Sequence, residues 1–255
     1  NAKDSQNTFY ILDKKNDDPI VFIHGVGLNH KIWEPQINVF KNTFLAYDIL
    51  GHGKTPLNKE NLSFDDFSNQ LINLIDELNI RRIHLVGFSI GSLIARNFAS
   101  KYSDRLESLI LLCSIFRRTE KQQQIVKDRF ELAKKSKSLS KQALKRWFTD
   151  EYIEKNPSTY KKISSILEQN SMENFLKIYE LFVNHKDDEQ FEKIKTKTLI
   201  MTGEGDIGST PEMSINLSKV INNSNVKIIS KGKHLCSIEC ADDVNMAIKK
   251  HIQND

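Results

Sequence analysis

The chain has 255 residues, 39% apolar and 27% charged, with a formal net charge of +4, the composition of a soluble globular protein. No apolar run approaches the ~20 residues that span a bilayer, the start at Asn1 (not Met, as in a trimmed chain) has no segment of signal-peptide type, and no basic stripe interleaved with aromatics points to nucleic acid. The three cysteines, Cys113, Cys236 and Cys240, make no disulfide framework and no zinc ligand set, so the expected setting is a reducing one, the cytoplasm.

Short apolar runs alternate with amphipathic ones. The first strand is expected at 19–25 (PIVFIHG) and the next at 43–49 (TFLAYDI). A helix over 63–79 opens with Ser63 as N-cap and Asp66 three residues on, in the manner of a capping box. Its Phe67, Leu71, Leu74, Ile75 and Leu78 share one stripe. A strand at 83–88 runs straight into a helix at 90–102, followed by a strand at 106–115. Strands at 196–203 and 226–230 alternate with helices at 211–221 and 241–252. The strands are rich in Ile, Val and Leu without strict alternation, as expected where both faces are covered. Strand alternating with helix implies a mainly parallel sheet.

That rhythm breaks between 116 and 190, which is helix-friendly throughout. The segment holds 16 Lys and Arg against 12 Asp and Glu, so it carries the whole net charge. It is expected to be a helical insertion, with 1–115 and 191–255 forming the core. A basic insertion draws anionic ligands by long-range attraction. A solvated lysine-rich face would look the same.

Between the strand at 83–88 and the helix at 90–102 lies Gly87-Phe88-Ser89-Ile90-Gly91. This is G-x-S-x-G in the strand–turn–helix context that gives the pattern meaning. The turn holds the Ser89 hydroxyl proud of the sheet, and the glycines avoid crowding it. Ser89 is therefore the expected nucleophile, with the amides of the following helix near it.

A hydroxyl needs a base, and His234, just past the last strand, fits that place. Asp206, in the loop after the strand at 196–203, is the expected acid that orients the imidazole, with Glu204 as runner-up. The chain order Ser89, Asp206, His234 is nucleophile, acid, base. An oxyanion needs two N–H donors. Ile90 supplies one, and Val26, in the Gly-flanked turn of FIHGVGLNH, the other. His24 and Gly25 serve to hold that loop.

Taken together, HGVG, YDILGHGKT, GFSIG, MTGEGD and GKH closely resemble the α/β-hydrolase superfamily along the whole chain. The resemblance implies an α/β fold with an eight-stranded, mostly parallel sheet and a helical cap after the sixth strand, here 116–190. IFRRTEKQ, LKRWFTDEYIEKNP and GDIGSTPEMS are most similar to the branch of enol-lactonases and small-acid hydrolases. That branch implies a carboxylate-bearing small-molecule substrate held by a cationic cap residue: Arg146, beside Trp147, with Arg117 and Arg118 behind it. Trp147, Trp33, Leu28 and Asn29 are further candidates for the pocket, although Trp33 serves equally well in helix-to-sheet packing. The expected function is serine hydrolysis of a small ester, lactone or activated amide through an acyl-enzyme, with no cofactor or metal required. The same triad would also serve C–C cleavage of a diketone-type acid, an acyltransferase, a haloperoxidase side activity or a slow-turnover receptor.

Overall fold

The computed structural model describes residues 1–136, 138 and 140–253. Lys137 and Leu139, within the 116–190 segment, lie outside the described residues. One eight-stranded sheet runs through the molecule in the order β1-β2-β4-β3-β5-β6-β7-β8. Its strands are β1 (Ala2–Lys3), β2 (Phe9–Asp13), β3 (Ile20–Ile23), β4 (Phe44–Tyr47), β5 (Ile83–Phe88), β6 (Leu106–Leu112), β7 (Thr198–Gly203) and β8 (Ser224–Ile229). The pairs β1–β2 and β2–β4 are antiparallel, and the others are parallel.

The helices are α1 (Glu34–Ile37), α2 (Phe64–Glu77), α3 (Ile90–Lys101), α4 (Glu120–Lys135), α5 (Ser140–Trp147), α6 (Asp150–Lys155), α7 (Pro157–Glu168), α8 (Met172–Val183), α9 (Pro211–Ser218), α10 (Cys236–Glu239) and α11 (Ala241–Gln253). Among the described residues, α4 to α8 all fall between β6 and β7, with no strand among them. No described helix is long and apolar enough to cross a membrane.

The near-continuous apolar strands have a simple cause. Successive side chains point to opposite faces of a strand, and both faces are buried. Val21, Ile23, Leu45 and Tyr47 pack with Leu71 and Leu74 of α2, Leu93 and Phe98 of α3, and Met213 and Leu217 of α9. Ile20, Phe22, Ala46 and Val86 pack on the other face with Trp33 and with Val244 and Ile248 of α11. Leu144, Phe148, Ile163 and Leu167, from the stretch between β6 and β7, continue that second core.

The α2 start follows its sequence pattern: the Asp66 carboxylate accepts from the Ser63 N–H at 2.8 Å and from its hydroxyl at 2.9 Å. Two differences from the sequence pattern have local causes. β6 stops at Leu112, three residues before the predicted end, because Cys113 takes a left-handed φ of 54° and turns the chain out of the sheet. β1 and β2 carry no readable signal, one being two exposed residues and the other a partly buried strand near the sheet edge.

Arg96 on α3 ties together the two ends of the helical stretch between β6 and β7. Its fully buried guanidinium donates to the Ile115 carbonyl at 2.7 Å on the chain leaving β6. It also meets Asp187 and Glu189, each at 2.8 Å, on the chain returning to β7. Both ends of that stretch are thereby fixed to the helix that follows Ser89.

Candidate active site

β5 enters α3 through Ser89, whose φ of 56° and ψ of −121° belong to neither strand nor helix. A β-carbon on Gly87 would fall 2.2 Å from the Gly91 carbonyl oxygen. One on Gly91 would fall 2.5 Å from that of Ile23. The glycines thus make room for the turn, while the unfavourable φ is borne by the serine itself. The Ser89 N–H donates to the Leu112 carbonyl at 2.9 Å, which pins the turn to β6.

His234 lies after β8 and brings its Nε2 to 3.2 Å from Ser89 Oγ. Its Nδ1 stands 2.6 Å from Asp206 Oδ2. The other Asp206 oxygen accepts the Gly208 and Ser209 N–H groups at 2.9 and 3.0 Å. Burial works against the imidazolium, but the charge of Asp206 and its hydrogen bond outweigh it, so the His234 pKa lies above the ordinary imidazole value. Burial likewise opposes ionisation of Asp206; His234 and the two amides prevail and hold its carboxyl below the usual range. Glu204, the runner-up acid, is exposed and accepts instead from the Lys231 N–H at 3.1 Å.

A cysteine also helps hold the histidine loop: the buried Cys113 thiol donates to the His234 carbonyl at 3.1 Å. Chain pattern gives no sign of this role, because a lone Cys at a strand end reads as a small apolar residue.

Opposite Ser89 runs the Gly25–Leu28 turn. Val26 lies on the same cavity wall as Ser89 and His234. The Ile90 N–H, the first of α3, has no acceptor within its helix. Two neutral imidazoles brace the turn. His24 Nδ1 meets the Gly25 carbonyl at 2.8 Å, and its Nε2 accepts the Ile49 N–H at 3.1 Å. His52 Nε2 accepts the Gly27 N–H at 2.7 Å. Burial pushes their pKa values down, to about 4 for His24 and about 3 for His52. Both accept from backbone amides, as an imidazolium could not. The bracing by His52 was not legible in the chain, since a histidine between two glycines has no periodic context.

Ser89, Asp206 and His234 open onto a cavity of about 440 Å³. Arg146 and Trp147 line it, the Trp147 ring lying 6.0 Å from that of His234. Arg118 lines it too, while Arg117 is exposed and stacks on Phe116 at 4.8 Å, away from the wall. Three expectations are corrected: Leu28, Asn29 and Trp33 are not on the cavity wall. Gly27, at a φ of 77°, reverses the chain after Val26, so Leu28 turns into the core at 1% exposure. Asn29 caps the next turn by accepting from the Lys31 N–H at 3.1 Å, and Trp33 packs on Phe22 at 4.9 Å. The wall contains residues that pattern alone did not reveal: Arg129, Leu167, Phe175 and Tyr179, together with Ile125, Leu132 and Ile207, which are 40%, 55% and 63% exposed and form its mouth.

Among the described residues, two groups of metal-ligating residue types come together, Cys113 with Asp206 and His234, and His185 with Asp187 and Glu189. In the first, both His234 nitrogens are engaged by Asp206 and Ser89. In the second, Arg96 already supplies the cation that both carboxylates face.

The chain is similar over its whole length to several known proteins. An Acinetobacter baylyi (E)-2-((N-methylformamido)methylene)succinate hydrolase is 26% identical, the alignment covering 98% of this chain and 95% of that one. A 3-oxoadipate enol-lactonase from the same organism is 23% identical, with 97% and 93% covered. The crystal structure of the enol-lactonase from Burkholderia xenovorans LB400 superposes with a TM-score of 0.84 at 22% identity, over 97% of this chain and 96% of that one, and shares the fold. The family model for the alpha/beta hydrolase fold matches residues 18–240. With an eight-stranded sheet, a serine at the strand–helix turn and this match over most of its length, the chain belongs to the α/β-hydrolase family and is an enzyme of that family.

Proposed function

We propose that the chain is a serine hydrolase that cleaves a small, carboxylate-bearing ester, lactone or activated amide through an acyl-enzyme on Ser89. The observation that carries this reading is the hydrogen-bonded chain from Ser89 Oγ through His234 to Asp206, at 3.2 and 2.6 Å, facing an arginine-flanked cavity. His234 Nε2 takes the Ser89 proton as Oγ attacks the acyl carbon. The N–H groups of Val26 and Ile90 receive the developing oxyanion. The tetrahedral intermediate collapses, and His234 passes its proton to the leaving group. A water activated by the same imidazole then releases the acid. Asp206 fixes the Nδ1–H tautomer and stabilises the imidazolium.

The helices from α4 to α8 act as the cap that shapes the pocket, with Trp147 beside the histidine and Arg146 facing the substrate's carboxylate. The relatives named above act on a methylenesuccinate and on an oxoadipate enol-lactone, both derived from small acids. The three free cysteines support a reducing setting such as the cytoplasm for this reading. Partners other than the small-molecule substrate are not needed for this chemistry.

The test is a panel of nitrophenyl esters, enol-lactones, N-formyl enamides and ring-fission diketones, run on wild type and Ser89→Ala. Hydrolysis of at least one ester, lactone or amide that disappears in Ser89→Ala supports the reading. Turnover of diketones alone, or activity retained in Ser89→Ala, overturns it. Arg146→Ala should raise KM for a carboxylate-bearing ester more than for a neutral one.

A further inference from the structure

Three arginines face the cavity from separate elements. Arg118 precedes α4, Arg129 lies on α4, and Arg146 ends the second turn of α5. Among the described residues none of them meets a carboxylate within ion-pair distance. Arg118 spends one nitrogen, Nη1, on the Phe182 and Val183 carbonyls at 3.2 and 3.1 Å and on Gln123 at 3.3 Å, while its Nη2 is buried without a partner. Arg146 donates to the Gln142 carbonyl at 3.0 Å. Arg129 has no hydrogen bond among the described residues. Its Nη1 lies 4.0 Å from where a methyl on Gly208 would fall, beside the loop that carries Asp206. Asp206 is the one carboxylate among the described lining residues, and His234 occupies it. The phenol of Tyr179 lines the same wall.

We propose that this wall is a binding site for a dianionic substrate, whose two carboxylates are shared among Arg118, Arg129 and Arg146. The inference rests on the hydrolase reading and adds to it the number of acid groups and the residues that hold them. One carboxylate offers one planar edge to one guanidinium fork. A single carboxylate on Arg146 would leave the Arg118 Nη2 and all of Arg129 without an anion, in a cavity where unpaired donors are costly. A second carboxylate satisfies them. The mutual influence of the three charges agrees with this grouping: burial and then Arg129 lower the Arg146 pKa. Burial also lowers that of Arg118, to about 10, against the pull of Asp187 and Tyr179 and with Arg129 adding to the effect. Tyr179 stays a neutral donor, because burial raises its pKa against the pull of all three arginines.

Binding can be measured without chemistry in Ser89→Ala. Titration calorimetry would compare glutarate and adipate with their monomethyl esters, which match them in length but carry one charge, and with inorganic phosphate. The expected result is binding of a dicarboxylate at least about tenfold tighter than its half-ester. Adding Arg129→Gln should bring that ratio toward one, and Arg118→Gln should do the same, while half-ester affinity changes less. The proposal is overturned by equal affinity for diacid and half-ester, by a ratio unaffected in both arginine variants, or by phosphate binding tighter than either diacid. Because the calorimetry reads binding of the acids and not turnover, failure here is separate from failure of the wild-type ester panel.

Discussion

Replacing Asp206 by Asn isolates what the acid does, because the structure dictates how the amide would sit. Asp206 Oδ1 accepts two backbone N–H groups, from Gly208 and Ser209. Asparagine keeps both bonds only by leaving its oxygen there, which turns its NH2 toward His234 Nδ1. That nitrogen must then accept, so the ring proton moves to Nε2, where it points at Ser89 and cannot take the hydroxyl proton. The expected loss in kcat is about 10³- to 10⁴-fold, or about 4 to 5 kcal/mol of barrier. A second signature comes from charge. His234 acts as a base only when neutral, and its folded pKa is raised, so activity climbs with pH through a midpoint above the ordinary imidazole value. Without the Asp206 charge that acid limb moves to lower pH. The assay is kcat and kcat/KM against pH on the best ester of the panel, with circular dichroism melts to confirm folding. A loss under about tenfold, or an acid limb that stays in place, would refute the assignment of Asp206.

Gly91→Ala places a β-carbon 2.5 Å from the Ile23 carbonyl oxygen. The backbone must shift, so urea unfolding should show a loss of about 1–3 kcal/mol, and kcat should fall further than stability alone explains because Ser89 moves with the turn. Arg96→Met leaves Asp187 and Glu189 facing each other without their cation, at an expected cost of about 3–5 kcal/mol at neutral pH. Against the opposing effect of burial, His185 and Arg96 hold the Asp187 carboxyl low, and Arg96 with His185 does so for Glu189. A depressed folded pKa stabilises above the unfolded value and is lost as pH falls. The deficit of the variant should therefore shrink in acid, and urea melts giving the same deficit at pH 7 and in acid would contradict the clamp.

The parts of this molecule legible from its sequence are those with a period or a fixed local grammar. β3 to β7 read as apolar runs because both faces are covered, while β8, with Asn225 and Lys227 exposed, reads only through its Val and Ile residues. Ser89 was legible because the glycines around it leave no space for anything larger. Asp206 and His234 followed from their places after β7 and β8. The cavity wall was not legible in the same way. Arg129, Phe175 and Tyr179 lie on α4 and α8, whose facing depends on how the helices between β6 and β7 pack together, and Arg129 looks in sequence like any solvated cation. Leu28, Asn29 and Trp33 were near the right loop, but one reversal at Gly27 sends the chain after Val26 into the core.

The central claim is that Ser89 is a nucleophile made reactive by His234, and covalent labelling tests it most directly. Incubation with a small alkyl fluorophosphonate, followed by peptide mass spectrometry, should give one adduct, on the peptide containing Ser89, and labelling should slow severely in His234→Ala. An unlabelled Ser89, or a rate unchanged in His234→Ala, would contradict the account.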